Sequence, residues 1–389
     1  MISHKNSKSA LFYTIKRTFI LLVLLFPAAC TSFPEEIIGV DNATIPAKSV
    51  VGAKQHKIFI ATTRQPDAAS TIMFTGERND SLSFARVTVS VPPNHIDGNI
   101  ERPTRIPPDP RKEFAVIDPV LYSSEKGFVA GIDNEILRKP KKEQQVLVFV
   151  HGYNTTLAAA ILRAGQFVED SNFTGVLILF TWASRGSTLS YVYDMNSALH
   201  ARDALLDTAK AINRTKAKSI NVLAHSMGNL VTVEAMRQAK LEGWFNNSGR
   251  LKNIILASPD IDSDVFRKQI QVFPKEKRRF YVLISEDDKA LAFSRKIAGG
   301  VNRVGDDSAE ELAKIGVVVI DLSKIDDTNN LNHSKFADSP EVVQLIGTRL
   351  NAGDNLHTEK ILAGNVGSIG ALPGLTTKSI GLGILSLGN

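Results

Sequence analysis

Residues 220–240 read INVLAHSMGNLVTVEAMRQAK. Ile220, Val222 and Leu223 make a short buried strand, and Leu230, Val231, Val233, Ala235 and Met236 then repeat at helical spacing. Between them stands Ala224-His225-Ser226-Met227-Gly228, a small-x-Ser-x-Gly pentapeptide. A strand that enters a helix through so tight a bend forces the central serine into a strained conformation. Small residues two before and two after it let the neighbouring backbones approach. The bend lifts the Ser226 hydroxyl above the sheet and sets it at a helix N-terminus, where unpaired N–H groups and the dipole favour a developing oxyanion. The pentapeptide alone is common. The strand before it, the helix after it and Met227 next to the serine separate a nucleophile elbow from an ordinary helix-capping serine.

Outward from this stretch, short apolar runs recur at 146–150, 176–180, 254–257, 280–284 and 317–320. Continuous rather than alternating apolarity predicts strands covered on both faces, as in a parallel sheet between helix layers. Helices are expected at 156–170, 197–212, 229–240 and 339–350, with a short one at 124–138. Upstream, 57–62 (KIFIAT) and 86–91 (RVTVSV) alternate and predict antiparallel strands, while 102–111 holds four prolines in ten residues and predicts an irregular connector. The fold class is therefore α/β, with Ser226 at the carboxyl end of a central strand, where open α/β sheets bind ligands.

The chain has 389 residues and a net charge of +6. Residues 1–29 carry Lys5, Lys8, Lys16 and Arg17 with no acid, then an apolar run from Phe19 to Phe26, then Pro27-Ala28-Ala29-Cys30. A basic region, a short apolar region and small residues before a boundary predict a secretory signal, too short to span a membrane. Cys30 is the sole cysteine, and the site resembles a bacterial lipobox with Pro27 where leucine is usual. A lipidated Cys30 at a mature N-terminus leaves no thiol for disulfides. Without the four leader charges the chain holds 42 basic and 40 acidic residues, so nothing in its charge points to nucleic acid. The expected organisation is a signal at 1–29, a tether at 30–55, the catalytic domain at 56–350 and a Gly-rich mobile tail at 351–389.

A serine nucleophile needs a base and a group that orients the base. In this architecture the order is serine, acid, histidine. Only His333 and His357 follow Ser226, and His333 falls between the last strand and the last helix, where the base belongs. For the acid, Asp287 and Asp288 follow one strand, and Asp260, Asp262 and Asp264 the strand before. The latter three imitate a calcium loop, but Val265 stands where glycine is needed, so helix capping is the expected role and no metal is expected. An oxyanion hole takes one N–H from Met227 and one from the loop after the first parallel strand, where His151-Gly152-Tyr153-Asn154 stands; Gly152 turns the N–H of Tyr153, or else of Asn154, inward.

The stretches VLVFVHGYN (146–154), LFTWASRGS (179–187) with Tyr191 and Asp194, LAHSMGN (223–229), SPDID (258–262) and SEDDKAL (285–291), with the His333 loop, resemble the α/β-hydrolase superfamily. More closely they resemble a group of bacterial α/β-hydrolase-fold proteins, many with lipoprotein signals, of undefined substrate. The resemblance implies Ser226, Asp288 and His333 as a triad, and the early strands as the antiparallel start of a mostly parallel sheet. Ala183 departs from the pattern, since proline commonly follows this tryptophan. His151, Asn154, Trp182, Tyr191 and Tyr193 are candidate pocket residues. The expected function is a serine esterase of the cell envelope, lipid-anchored at the outer membrane and facing the periplasm, acting on an acyl ester or lipid without a cofactor. A catalytically silent binding protein and an amidase or acyltransferase with the same residues are the alternatives.

Overall fold

The computed structural model describes residues 33–275, 278–325 and 331–353. Its centre is a nine-stranded sheet in the order β3-β2-β1-β5-β4-β6-β7-β8-β9. Strands β1 (Lys54–Pro66), β2 (Phe74–Val91) and β3 (Ala115–Tyr122) are antiparallel to one another. The sheet then turns parallel through β5 (Val176–Thr181), β4 (Gln145–Val150), β6 (Ser219–His225), β7 (Leu251–Ala257), β8 (Phe280–Ile284) and β9 (Val318–Asp321). This is the mostly parallel sheet with an antiparallel start that the sequence implied.

The continuous apolar runs serve two cores at once. Leu147, Phe149, Leu177 and Leu179 face one side, with helices α2 (Leu157–Asp170) and α10 (Pro340–Ala352). Val146, Val148, Ile178 and Phe180 face the other, with α1 (Glu125–Leu137), α4 (Arg202–Asn213) and α5 (Gly228–Leu241). Each such side chain, fully buried, contributes roughly 1.5–3 kcal/mol against exposure.

Three expectations need correction. Strand β3 escaped the reading because Asp118 and Pro119 interrupt its pattern; Asp118 sits at φ 51° and the pairing with β2 shifts register between Arg86 and Thr88, a bulge that an edge strand tolerates. The expected tether at 30–55 is anchored to the domain at Ile37, Ile38 and Ala47, with most of the residues between and after them exposed or half-buried. Ile37 and Ile38 are buried, and Ile38 bridges Val116 of β3. The single helix expected at 197–212 is two, α3 (Tyr191–His200) and α4, which meet at Ala201 (φ −78°, ψ −3°); Arg78 of β2 donates to Ser197 Oγ (2.8 Å) and Tyr193 O (3.1 Å) of α3. The remaining helices are α6 (Ser263–Ile270), α7 (Lys289–Ile297), α8 (Ala309–Lys314) and α9 (Lys335–Asp338). The signal, Cys30, His357 and the tail beyond Gly353 lie outside the described residues.

Candidate active site

Ser226 ends β6 at φ 53°, a left-handed conformation that costs a non-glycine residue about 1–3 kcal/mol. The surroundings hold it there. Ser226 N donates to Ala257 O (3.0 Å), Asp260 N donates to Ser226 O (3.2 Å), and Asn229 Nδ2 from α5 donates to both Ser226 O and Ala257 O (2.9 Å each). Two glycines make room: a Cβ on Gly152 would lie 2.7 Å from Ser226 Cβ, and one on Gly228 would lie 2.3 Å from His151 O. Ser226 is 4% exposed, so the elbow is enclosed rather than open to solvent.

Forty-five residues apart in sequence, Asp288 and His333 meet. His333 Nδ1 donates to Asp288 Oδ2 at 2.7 Å, and the carboxylate is fully buried. Its other oxygen accepts from Leu291 N (2.9 Å) and caps α7, so helix and histidine share one carboxylate. The His333 ring meets that of His225, the residue before Ser226, at 4.7 Å with the two planes tilted by 51°, and His225 Nε2 donates to His333 O (3.1 Å). Burial, then His333, push the His225 imidazole well below the usual histidine range, so it remains a neutral spacer. Nothing in the sequence marked His225 except its place inside the pentapeptide.

The other acids have other work. Asp287 accepts from Lys335 Nζ (2.8 and 3.0 Å) and Asn332 Nδ2 (2.9 Å). Burial raises its pKa, but the bonds from Lys335 and Ser285 outweigh that and hold it below the usual carboxylate range. Asp260 accepts from Ser294 Oγ (2.6 Å) and Tyr191 OH (3.1 Å) and lies 3.3 Å from Arg303 Nε. Burial and Asp260 push the Tyr191 phenol up to about 12. Asp262 caps α6 through Asp264 N and Val265 N, as the capping expectation had it.

The loop 151–155 is set by two buried charges. Arg64, at the end of β1, donates to Thr155 O (2.7 Å), Ser184 O (2.8 Å), Thr75 O (3.2 Å) and Thr181 Oγ1 (2.8 Å). Burial pushes its pKa down to about 10, which still leaves it charged at neutral pH. Asp194 accepts from Ser184 Oγ (2.5 Å), Arg185 N (3.0 Å) and Asn154 N (3.2 Å). The N–H of Asn154 is thus engaged, whereas among the described residues the N–H groups of Tyr153 and Met227 donate to nothing. Arg64 was not foreseen; a charged residue within an otherwise buried strand end is the signal that marked it.

Not every pocket candidate has surface to offer. Trp182 is fully buried, stacks on His151 at 5.1 Å and donates to His151 O (3.0 Å). His151 is 2% exposed and bonds Gly152 O and Thr181 Oγ1, and burial, then Arg64, push it down to about 3. Both are supports beneath the oxyanion loop. Tyr193 is turned away, its ring against the guanidinium of Arg185 at 3.6 Å. Tyr153 and Tyr191 meet edge to face at 5.2 Å beside the exposed Asn154. An apolar cavity of about 90 Å³ lies between α4 and α5, lined by Val148, Val222, Met236 and Trp244; none of the residues above borders it.

Among the described residues His95, Asp97 and Asp170 bring ligand-type atoms within 4.8 Å of one another. Burial lowers the His95 pKa, but Asp170 (2.7 Å) and Glu101 (2.6 Å), one on each ring nitrogen, outweigh it and raise it to about 9. A protonated imidazole between two carboxylates makes an ion triad.

The elbow, the Asp288–His333 pair and the strand order agree with a family match: alpha/beta hydrolases of unknown function (DUF900) match residues 131–349, more than half of the chain. The chain belongs to that family. Among solved structures, the monoclinic form of a Pyrobaculum calidifontis esterase is 10% identical, over 90% of this chain and 94% of that one, with a TM-score of 0.35. Fungal esterases from Rhizomucor miehei give 11% identity, 87% and 94% coverage and a TM-score of 0.33. Likeness at that level carries no argument about activity. No curated protein matches the chain.

Proposed function

We propose that this family member is a serine hydrolase of carboxylic esters, with Ser226 as nucleophile, His333 as base and Asp288 as the orienting acid. The 2.7 Å Asp288–His333 bond beside a strained serine carries the reading. Asp288 keeps the Nδ1 proton in place, which leaves Nε2 as the acceptor for the Ser226 proton. Ser226 Oγ attacks the ester carbonyl, and the imidazolium that forms is stabilised by the Asp288 carboxylate. The oxyanion forms against the N–H groups of Met227 and Tyr153, which among the described residues have no other partner to give up. His333 then protonates the departing alcohol. The acyl-enzyme is hydrolysed by water activated in the same way.

Ser226→Ala should abolish both fluorophosphonate labelling and hydrolysis of p-nitrophenyl esters, while the circular dichroism melting curve stays in place. Equal labelling of the two proteins would remove Ser226 as nucleophile. A panel of acyl-chain lengths then defines the substrate.

The leader and Cys30 support a lipid-anchored place in the cell envelope, at the outer membrane in a host with two membranes, since Thr31 is not the aspartate that commonly retains lipoproteins inside. Cys30→Ala should move the protein from the detergent phase to the aqueous phase, or leave an unprocessed precursor. An unmodified Cys30 in the mature protein by mass spectrometry would end this part of the reading.

A further inference from the structure

The segment 331–335 runs alongside 285–289 and is joined to it by more than the Asp288–His333 bond. Lys289 N donates to Leu331 O (3.0 Å), Asn332 Nδ2 donates to Asp287 Oδ2 (2.9 Å), and Lys335 Nζ donates to both oxygens of Asp287 (2.8 and 3.0 Å) and to Leu322 O (3.0 Å). Lys335 is 1% exposed in its side chain, and Asp287 is 43% exposed. An ammonium is costly to bury, and a mere tie between two loops needs no charge there. What distinguishes this pair is its place: Asp287 adjoins Asp288, and Lys335 lies two residues beyond His333. One residue and two residues of chain keep each within about 10 Å of the Asp288–His333 pair, the range over which a charge acts.

We propose that Asp287 and Lys335 are positioning residues, a charge-balanced clamp that holds His333 against Asp288 without adding net charge beside the imidazole. The clamp rests on the triad reading of this same site. Other charged or titratable groups lie near the His225–His333 contact. His225 comes from the end of β6 and is neutral, and Arg163 of α2 is paired with Asp338 of α9 at 2.5 Å. Glu286 is exposed to solvent in the acid turn. With the clamp closed, the pair carries no net charge beside the histidine. Opened from either side, it leaves one unbalanced charge there, of opposite sign in the two cases.

The test is the titration of His333 in the full chain, followed by the Cε1–H resonance of ¹³C-labelled histidine and assigned with His333→Gln. Lys335→Met leaves the Asp287 carboxylate unopposed and should raise the His333 pKa. Asp287→Asn leaves the Lys335 ammonium unopposed and should lower it, each by about half a unit to one unit. The double variant Asp287→Asn/Lys335→Met, neutral and of nearly the same shape, should return close to the wild-type value, and it remains available if a single variant fails to fold. Shifts of one sign in both single variants, or no shift in either, overturn the clamp. The pH dependence of fluorophosphonate labelling should move with these values, its acidic limb upward in Lys335→Met and downward in Asp287→Asn. A wild type that titrates as expected but takes no label overturns the hydrolase reading and leaves the electrostatic role of the clamp standing.

Discussion

Residues 151–155 and residues 285–289 both follow the carboxyl end of a buried strand, yet opposite electrostatic means hold them. The oxyanion loop is pinned by Arg64 and Asp194, buried charges whose bonds go to backbone and hydroxyl groups rather than to each other. The acid turn is pinned by a closed ion pair, Asp287–Lys335. The difference fits what each side must do in the proposed reaction. Arg64, offset by Asp194, orders the backbone donors of residues 151–155, whereas next to the base any spare charge would shift the proton equilibrium on which catalysis runs.

The largest effect that would break this comparison lies on the acid side. Asp288→Asn should lower kcat by about 10⁴-fold, the loss seen for the corresponding change in a serine protease. It should do so with little loss of stability, because asparagine caps α7 nearly as well. Asp260→Asn should instead lower the melting temperature, through Tyr191, Ser294 and Arg303, with a far smaller change in kcat. The reverse ranking in steady-state kinetics would transfer the acid to the β7 loop.

On the oxyanion side, Gly152→Ala forces a Cβ to within 2.7 Å of Ser226 Cβ, so the loop must move. If Tyr153 N is a donor to the oxyanion, kcat should fall by about 10²–10³-fold with KM nearly constant, the scale of losing one such donor. A rise in KM at constant kcat would mean that the loop only binds substrate.

The smallest effect is one of order in acid. His151, held near 3 against an unfolded value of about 6.5, cannot take up the proton that its unfolded counterpart does. Stability from this group is therefore full above pH 6.5 and is lost as pH falls toward 3, on the order of 3 kcal/mol by pH 4. Asp287, shifted downward, keeps its contribution above its unfolded value and loses it only as pH falls through the lower folded one. Hydrogen exchange should show amides of 151–155 losing protection at higher pH than those of 285–289, and His151→Gln should remove that gap. Simultaneous loss would mean that the two loops open as one unit.

Much of the chain's organisation was legible in one dimension because its signals are local. The alternation of apolar runs with helical periods set the α/β class, and the elbow is written within a strand, five residues and a helix. Strand β3 was not legible, since its Asp118–Pro119 bulge erases the two-residue period, and neither was the packing of Ile37 and Ile38, which have no period of their own and are buried in the core that β3 helps to form.

Within the site the division is sharper. Sequence order narrowed the base to His333 or His357 and the acid to a few aspartates, but Asp287 and Asp288 are adjacent, and no local pattern says which side chain turns toward a loop 45 residues away. Only the folded chain, with Lys335 drawing Asp287 one way and His333 meeting Asp288 the other, separates their roles. The same holds for Tyr153 and Asn154. Their N–H groups are equivalent in sequence, and Asp194, reaching in from α3, occupies one of them and leaves the other free. Periodicity and backbone strain are properties of neighbours in the chain, and so can be read from it. The partner of a buried charge is a property of neighbours in space.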